Sequence, residues 1–242
     1  MPSLEVKDIS VTYKNKKKTT VALDHLSATF SDGINVIVGY SGCGKSTLLK
    51  SLLGLVEYEG NIIMDGRDIS ELPTPERNFS FVSQEYLLYP MFTVFDNIAF
   101  PLKVMGAKKE EIKERVLEIA KVTDLTACLS RKPRHISGGQ QQRVAIARAL
   151  IRHPEVVLLD EPFSNVDAKA RESMRLWLKN TLEKMDCMCV YVTHDLKEAL
   201  LLADKLFVMD SGKIVTCGTP TEVFQSKNEI VETLKQGSET FA

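Results

Sequence analysis

Gly39-Tyr40-Ser41-Gly42-Cys43-Gly44-Lys45-Ser46 fits the pattern G-x-x-x-x-G-K-[ST]. A β-branched run, Ile34–Val38, precedes it, and Ser46–Leu55 follows with helical spacing. That strand-loop-helix context is what the pattern needs to hold phosphate. Glycines let backbone N–H groups converge on phosphate oxygens, and the helix N-terminus adds a favourable dipole. In such a loop Lys45 reaches the β- and γ-phosphates, the Ser46 hydroxyl binds Mg²⁺, and Thr47 contacts the α-phosphate.

Two further runs carry compatible chemistry. Val156-Val157-Leu158-Leu159-Asp160-Glu161 is an apolar strand ending in two carboxylates. Asp160 can hold Mg²⁺ directly or through water, and Glu161 can take a proton from attacking water. An acidic strand end is common by itself and gains meaning only beside a phosphate loop. Ser137-Gly138-Gly139-Gln140 opens a stretch rich in Ala, Arg and Gln. Ser is a good N-cap, and the glycines admit an anion close to the backbone. Alone it would be read as an ordinary helix cap. Two anion-binding helix starts so far apart in one chain suggest two copies sharing each nucleotide.

The elements that must position these residues follow from periodicity. Leu4–Thr12 alternates as a strand, Lys14–Lys18 is a polar turn, and Val21–Phe30 returns as a second strand. Asn61–Met64 and Phe79–Ser83 are short strands. Lys108–Val122 carries Ile112, Val116, Ile119 and Ala120 at helical spacing, and a further helix runs from Ser137 to Leu150. After Val156–Leu159, a helix (Ala168–Met185), a strand (Met188–Val192), a helix (Leu196–Ala203) and a strand (Lys205–Met209) alternate. Short apolar strands alternating with helices predict an α/β fold: a mainly parallel core sheet covered on both faces, with an antiparallel β subdomain at the N-terminus. The expected organisation is one domain over 1–242, with a core of 1–84 and 154–242 and an inserted helical subdomain at about 85–153.

The bulk numbers bound the classes. Lys plus Arg is 31 against 32 for Asp plus Glu, a formal net charge of −1, which argues against bulk binding to nucleic acid. Five cysteines without framework density fit a reducing compartment, and Cys187-Met188-Cys189 lies in a strand-like run, where packing outweighs metal binding. Met1–Glu5 lacks a basic region followed by an apolar core, and no apolar run is long enough to span a bilayer. A cytoplasmic location is expected, with any membrane attachment through a partner.

The order of these motifs resembles that of the ATP-binding cassette family, over nearly the whole chain. Gly39–Ser46 looks like its Walker A motif, Val156–Glu161 like Walker B, and Ile136-Ser137-Gly138-Gly139-Gln140 like the signature LSGGQ, with Ile for the first Leu. The resemblance implies a P-loop NTPase (RecA-like) core using ATP and Mg²⁺. It implies that Tyr13 stacks on adenine, with Val21 lining the same pocket. Gln84 would be the Q-loop glutamine, at the Mg²⁺ and linking the docking region to the nucleotide, and His194 the switch histidine at the γ-phosphate. Asp167, in Ser164-Asn165-Val166-Asp167, would belong to the D-loop. Catalysis would fall to Glu161, His194, Lys45 and Gln84, with Ser46, Gln84 and Asp160 at the metal. Two cassettes would pair head to tail, each ATP lying between residues 39–47 of one copy and Ser137, Gly138, Gly139, Gln140 and Asp167 of the other. Cys43, beside Lys45 and a helix N-terminus, would have a lowered thiol pKa, so alkylation would block the site.

Within the family, Ala99–Lys103, Arg131-Lys132-Pro133, Asp160–Lys169 and Gly218–Phe224 look most like importers of sugar, polyamine and iron type. The apolar run Tyr86–Ile98 resembles the surface that receives membrane permease subunits, which would dock near 84–95. An extracytoplasmic solute-binding protein and a second cassette, identical or not, complete the expected partners. The chain would sit on the cytoplasmic face of the membrane. It closes at Ala242 soon after the core, so the regulatory β-domain of sugar importers is expected to be absent. Short-form importers and non-transport cassettes are the other readings.

Overall fold

The computed structural model describes residues 2–15, 18–164, 166 and 168–239. In chain order the strands and α-helices are β1 (Ser3–Asn15), β2 (Lys18–Ser31), β3 (Ile34–Val38), α1 (Lys45–Leu52), β4 (Glu59–Met64), β5 (Arg67–Asp68), β6 (Phe79–Val82), α2 (Val94–Val104), α3 (Lys109–Val122), α4 (Gly138–Leu150), β7 (Val156–Asp160), α5 (Ala168–Met185), β8 (Met188–Thr193), α6 (Leu196–Leu202), β9 (Lys205–Asp210), β10 (Lys213–Gly218), α7 (Pro220–Gln225) and α8 (Glu229–Glu239). The chain divides into two compact units, residues 1–79 with 188–242, and residues 80–187.

The first unit holds two sheets. β1 pairs antiparallel with both β2 and β4; Leu4 and Val6 alternate with polar residues onto the buried face, and a register shift between Val6 and Ile9 brings Ile9 and Val11 back to it. In the other sheet β3 lies between β8 and β9, parallel to both, and β10 closes the edge antiparallel to β9. All residues of β3 and β8 are buried, which is why both read as continuous apolar runs. Cys189 is one of them and sits fully inside the strand.

Arg77 is the polar anchor of this unit. Its guanidinium is buried and donates to the Ser51 and Leu52 carbonyls at 3.0 and 2.9 Å, to Leu72 O at 2.9 Å, to Ser70 O at 2.7 Å and to the Tyr58 hydroxyl at 3.2 Å. A cation at the last carbonyls of α1 satisfies them and complements the helix dipole, fixing the far end of the helix that Lys45 begins.

In the second unit β6 and β7 are neighbours in one sheet, and α2, α3 and α4 pack on one another. The helical stretch expected at 85–153 lies inside this unit, which also takes in β7 and α5. The apolar run from Tyr86 divides in two. Thr93 caps α2 by accepting from Asp96 N at 3.0 Å, so Val94, Ile98 and Ala99 turn inward. Asn97, fully buried, accepts from Tyr89 N at 2.8 Å and donates to Tyr89 O and Thr93 O at 3.1 and 3.0 Å, folding the preceding loop back on the helix. Among the described residues no helix is long and apolar enough to cross a membrane.

Candidate nucleotide site

Tyr13, residues 39–47 and His194 lie in the first unit; Gln84, Ser137–Gln140, Asp160 and Glu161 lie in the second. Asp167 and Asn165 fall outside the described residues.

The phosphate loop follows β3 without a break, and two of its glycines are required by geometry. A Cβ on Gly39 would sit 2.2 Å from Met209 O, and Gly44, at φ 112°, would place one 2.4 Å from Ala22 O. Neither position tolerates a side chain. Lys45 is only 5% exposed, and its ammonium donates to Gly39 O at 2.7 Å and Tyr40 O at 2.9 Å. A cation held by carbonyl dipoles inside a loop at a helix start is poised for an anion rather than neutralised by one. Gly42, at φ 83°, has open space where a Cβ would stand. These features fit a bound polyphosphate. Ser46 stands on the first turn of α1, where the first amides of a helix lack intrahelical partners.

Tyr13 and Val21 are exposed on the β1–β2 hairpin, where Thr12 faces Val21 and Tyr13 faces Thr20. The Tyr13 hydroxyl donates to Thr47 Oγ1 at 3.5 Å, which places this ring at the end of the phosphate loop. A flat exposed ring there offers a stacking face for a base.

Thr193 ties the loop to His194. Val38 and Thr193 are partners in register, and Gly39 N donates to Thr193 O at 3.3 Å. The Thr193 hydroxyl donates to buried Glu198 at 2.5 Å and accepts from Asp195 N at 3.0 Å. Asp195 caps α6 by accepting from Lys197 N and Glu198 N. His194 is thus exposed between two residues whose backbones are pinned. Glu198 and the Thr193 hydroxyl were missed by sequence reasoning, although a Thr and a Glu flanking an Asp N-cap was an available signal.

In the second unit Asp160 ends β7 half-buried, and Glu161 follows in a left-handed conformation at φ 44°. Side chains rarely adopt that backbone, and outliers of this kind concentrate at working sites. Gln84 is exposed in the turn after β6. The Tyr86 hydroxyl, two residues on, donates to Pro162 O at 3.1 Å, so this loop is fastened next to Glu161.

Ser137 caps α4 in a capping box: Gln140 N donates to Ser137 Oγ at 3.3 Å, and Ser137 N donates to Gln140 Oε1 at 3.1 Å. A Cβ at Gly138 would meet nothing within 4 Å, and one at Gly139 only Met174 at 3.7 Å. The fold itself therefore does not demand these glycines. They leave room outside the helix start for a group to approach the backbone.

Cys43 corrects an expectation. Burial raises its thiol pKa and outweighs the lowering by Lys45 and by backbone N–H groups. At 7% exposure the loss of hydration dominates the nearby charge. Raising the pKa lowers the thiolate fraction at neutral pH, so alkylation there is expected to run more slowly than for an exposed cysteine and to accelerate only above the ordinary thiol range. The pH dependence of iodoacetamide labelling at Cys43, followed by mass spectrometry, checks this.

Comparisons with known proteins come to the same place. A family model described as ABC transporter matches residues 23–164. The sn-glycerol-3-phosphate import ATP-binding protein UgpC of Chromobacterium violaceum is 45% identical over 226 residues, 93% of this chain and 60% of that protein. The protein of the same name from Ralstonia nicotianae is 50% identical over 190 residues, 78% of this chain and 52% of that protein. This chain therefore spans only part of the length of the relatives it matches. Among solved structures, a dimeric ATP-binding cassette in a post-hydrolysis state with bound ADP and Pi is similar, with a TM-score of 0.78, 30% identity, and coverage of 90% of this chain and 98% of the other. At that level of likeness the fold is that of the cassette ATPases, an α/β P-loop fold with an antiparallel N-terminal sheet.

Proposed function

Because this chain belongs to the ABC transporter family, we propose that it binds and hydrolyses ATP in a two-copy assembly and drives solute import through membrane permease subunits. The observation that carries this reading is the phosphate loop itself, with a buried lysine held by the loop's own Gly39 and Tyr40 carbonyls, Gly39 and Gly44 at sterically obligatory positions, and Gly42 leaving space. The names of the relatives support import, and the dimer of the similar solved cassette supports pairing. Substrate choice would rest with the permease and solute-binding subunits, and the membrane's cytoplasmic face would be the working location.

The residues divide the work. The 39–47 backbone and Lys45 bind the phosphates, and Tyr13 and Val21 take the base. Ser46, Asp160 and Gln84 would hold Mg²⁺, which supplies charge neutralisation at the phosphates when bound. Glu161 accepts a proton from water as its oxygen bonds to the γ-phosphorus. The bond to the β–γ bridging oxygen breaks, releasing ADP and phosphate. His194 contacts the γ-phosphate from its pinned loop. Ser137, Gly138, Gly139, Gln140 and Asp167 of the second copy close over the same nucleotide. The γ-phosphate then joins the two copies, and its loss separates them.

One consequence is direct. If the site needs a second copy, ATP turnover per mole of chain rises with protein concentration and levels off once pairing is complete. Measuring phosphate release across a wide range of concentrations tests this. A turnover number independent of concentration down to the monomer would overturn the shared site, and absence of Mg²⁺-dependent hydrolysis would overturn the ATPase.

A further inference from the structure

The loop after Gln84 holds a conformation that its own residues do not favour. Tyr86 and Leu87 are both left-handed, at φ 60° and 43°. Neither is glycine, and two such residues in succession persist only where the surroundings impose them. Leu87 contributes little by packing, since the residue is 62% exposed. While Asn97 fastens the loop at Tyr89, the two left-handed residues themselves are held by Arg148, on the last turn of α4. Its guanidinium donates to Tyr86 O at 2.7 Å and to Leu87 O at 2.9 Å, and lies 5.5 Å from the centre of the Tyr89 ring. The two strained carbonyls thus meet the two arms of one planar fork, a geometry that an ammonium cannot reproduce.

The consequence reaches the chemistry through Tyr86. Its ring is buried, and its hydroxyl donates to Pro162 O at 3.1 Å. Pro162 follows Glu161, whose own left-handed backbone at φ 44° must be held from outside. We propose that Arg148 and Tyr86 are positioning residues for hydrolysis: Arg148 clamps the loop after Gln84 in its left-handed form, and Tyr86 uses that form to fix the backbone beside Glu161. The inference rests on the ATPase reading and deepens it. It also gives α4 a second task. One helix, starting at the Ser137 cap and ending in the Arg148 clamp, joins the proposed clamp on the partner's nucleotide to the placement of this chain's own base. All of these residues lie in the second unit.

The test uses Arg148→Met, which keeps bulk and removes the fork, and Tyr86→Phe, which deletes one hydroxyl from a buried ring. Each is expected to lower kcat for ATP by about threefold to tenfold while KM stays within about twofold, the signature of a misplaced reacting group rather than lost binding. Amide exchange across residues 84–90 should quicken in Arg148→Met and stay near wild type in Tyr86→Phe. Arg148→Lys should recover only part of the rate, having charge without the fork. If Arg148→Met does not fold, Tyr86→Phe alone still decides. Unchanged kcat in Tyr86→Phe, a parallel change of kcat and KM, or unchanged exchange at 84–90 in a folded Arg148→Met would each overturn the proposal. A wild-type chain without ATP turnover would instead overturn the ATPase reading, and the positioning role with it.

Discussion

Glu161→Gln is expected to cut ATP hydrolysis by about three orders of magnitude while ATP still binds, within the range for loss of a positioned general base. Gln keeps the size and the hydrogen-bonding shape of Glu but cannot accept the proton that water must lose. The left-handed backbone at Glu161, φ 44°, comes from the surrounding chain, so the exchange should leave it in place. With hydrolysis blocked and the γ-phosphate retained, paired copies should accumulate in Mg·ATP. Single-turnover hydrolysis together with size-exclusion chromatography in ATP reads both effects. Hydrolysis at the wild-type rate would remove Glu161 from its role.

Lys45→Met has the second large effect. The wild-type ammonium sits almost fully buried on two carbonyls of its own loop, Gly39 O and Tyr40 O. An isolated buried cation carries a desolvation cost that an arriving phosphate offsets. Methionine fills a similar volume without charge. It should therefore weaken ATP binding by about tenfold to a hundredfold, the scale of one charge-assisted hydrogen bond, and reduce turnover further because transition-state charge goes unmet. The local loop fold should survive, since the Gly44–Leu48 and Cys43–Gly212 backbone bonds do not involve the side chain. Fluorescent ATP-analogue titration measures the first effect and phosphate release the second.

How much of this was legible in the sequence follows from how local each feature is. The phosphate loop, β3, β7 and the Ser137 cap depend on neighbours within a few residues, so pattern alone located them. The run from Tyr86 to Ile98 reads as uniformly apolar in sequence. Its division came from Asn97, whose amide folds the loop onto α2, leaving Leu87, Tyr89, Met91 and Phe92 outside, Met91 74% exposed. Only that narrower outer part remains available to a partner. Cys43 misled for the opposite reason. Its sequence neighbours, Lys45 and a helix start, argue for a low pKa, whereas its burial involves residues remote in sequence: a Cβ on Gly39, for example, would meet both Met209 O and Cys43 Sγ. The Arg148 clamp spans some sixty residues of sequence, and the Thr193–Glu198 bond is short-range but buried, so neither left a periodic trace. Helix starts and glycine turns are local physics; burial and long-range polar ties are not.

The most direct test of the shared nucleotide site mixes two inactive variants. Lys45→Met disables the phosphate loop, and Ser137→Arg blocks the signature helix start, which has open space in front of Gly138. In a mixed pair one site carries both defects and the other carries neither. Equal mixing should therefore restore about a quarter of wild-type turnover, since half of the pairs are mixed and each has one of two sites intact. Recovery near that level, from variants inactive separately, is the expected result. Turnover that stays at the average of the two separate variants would contradict the claim that each ATP is held by two copies of the chain.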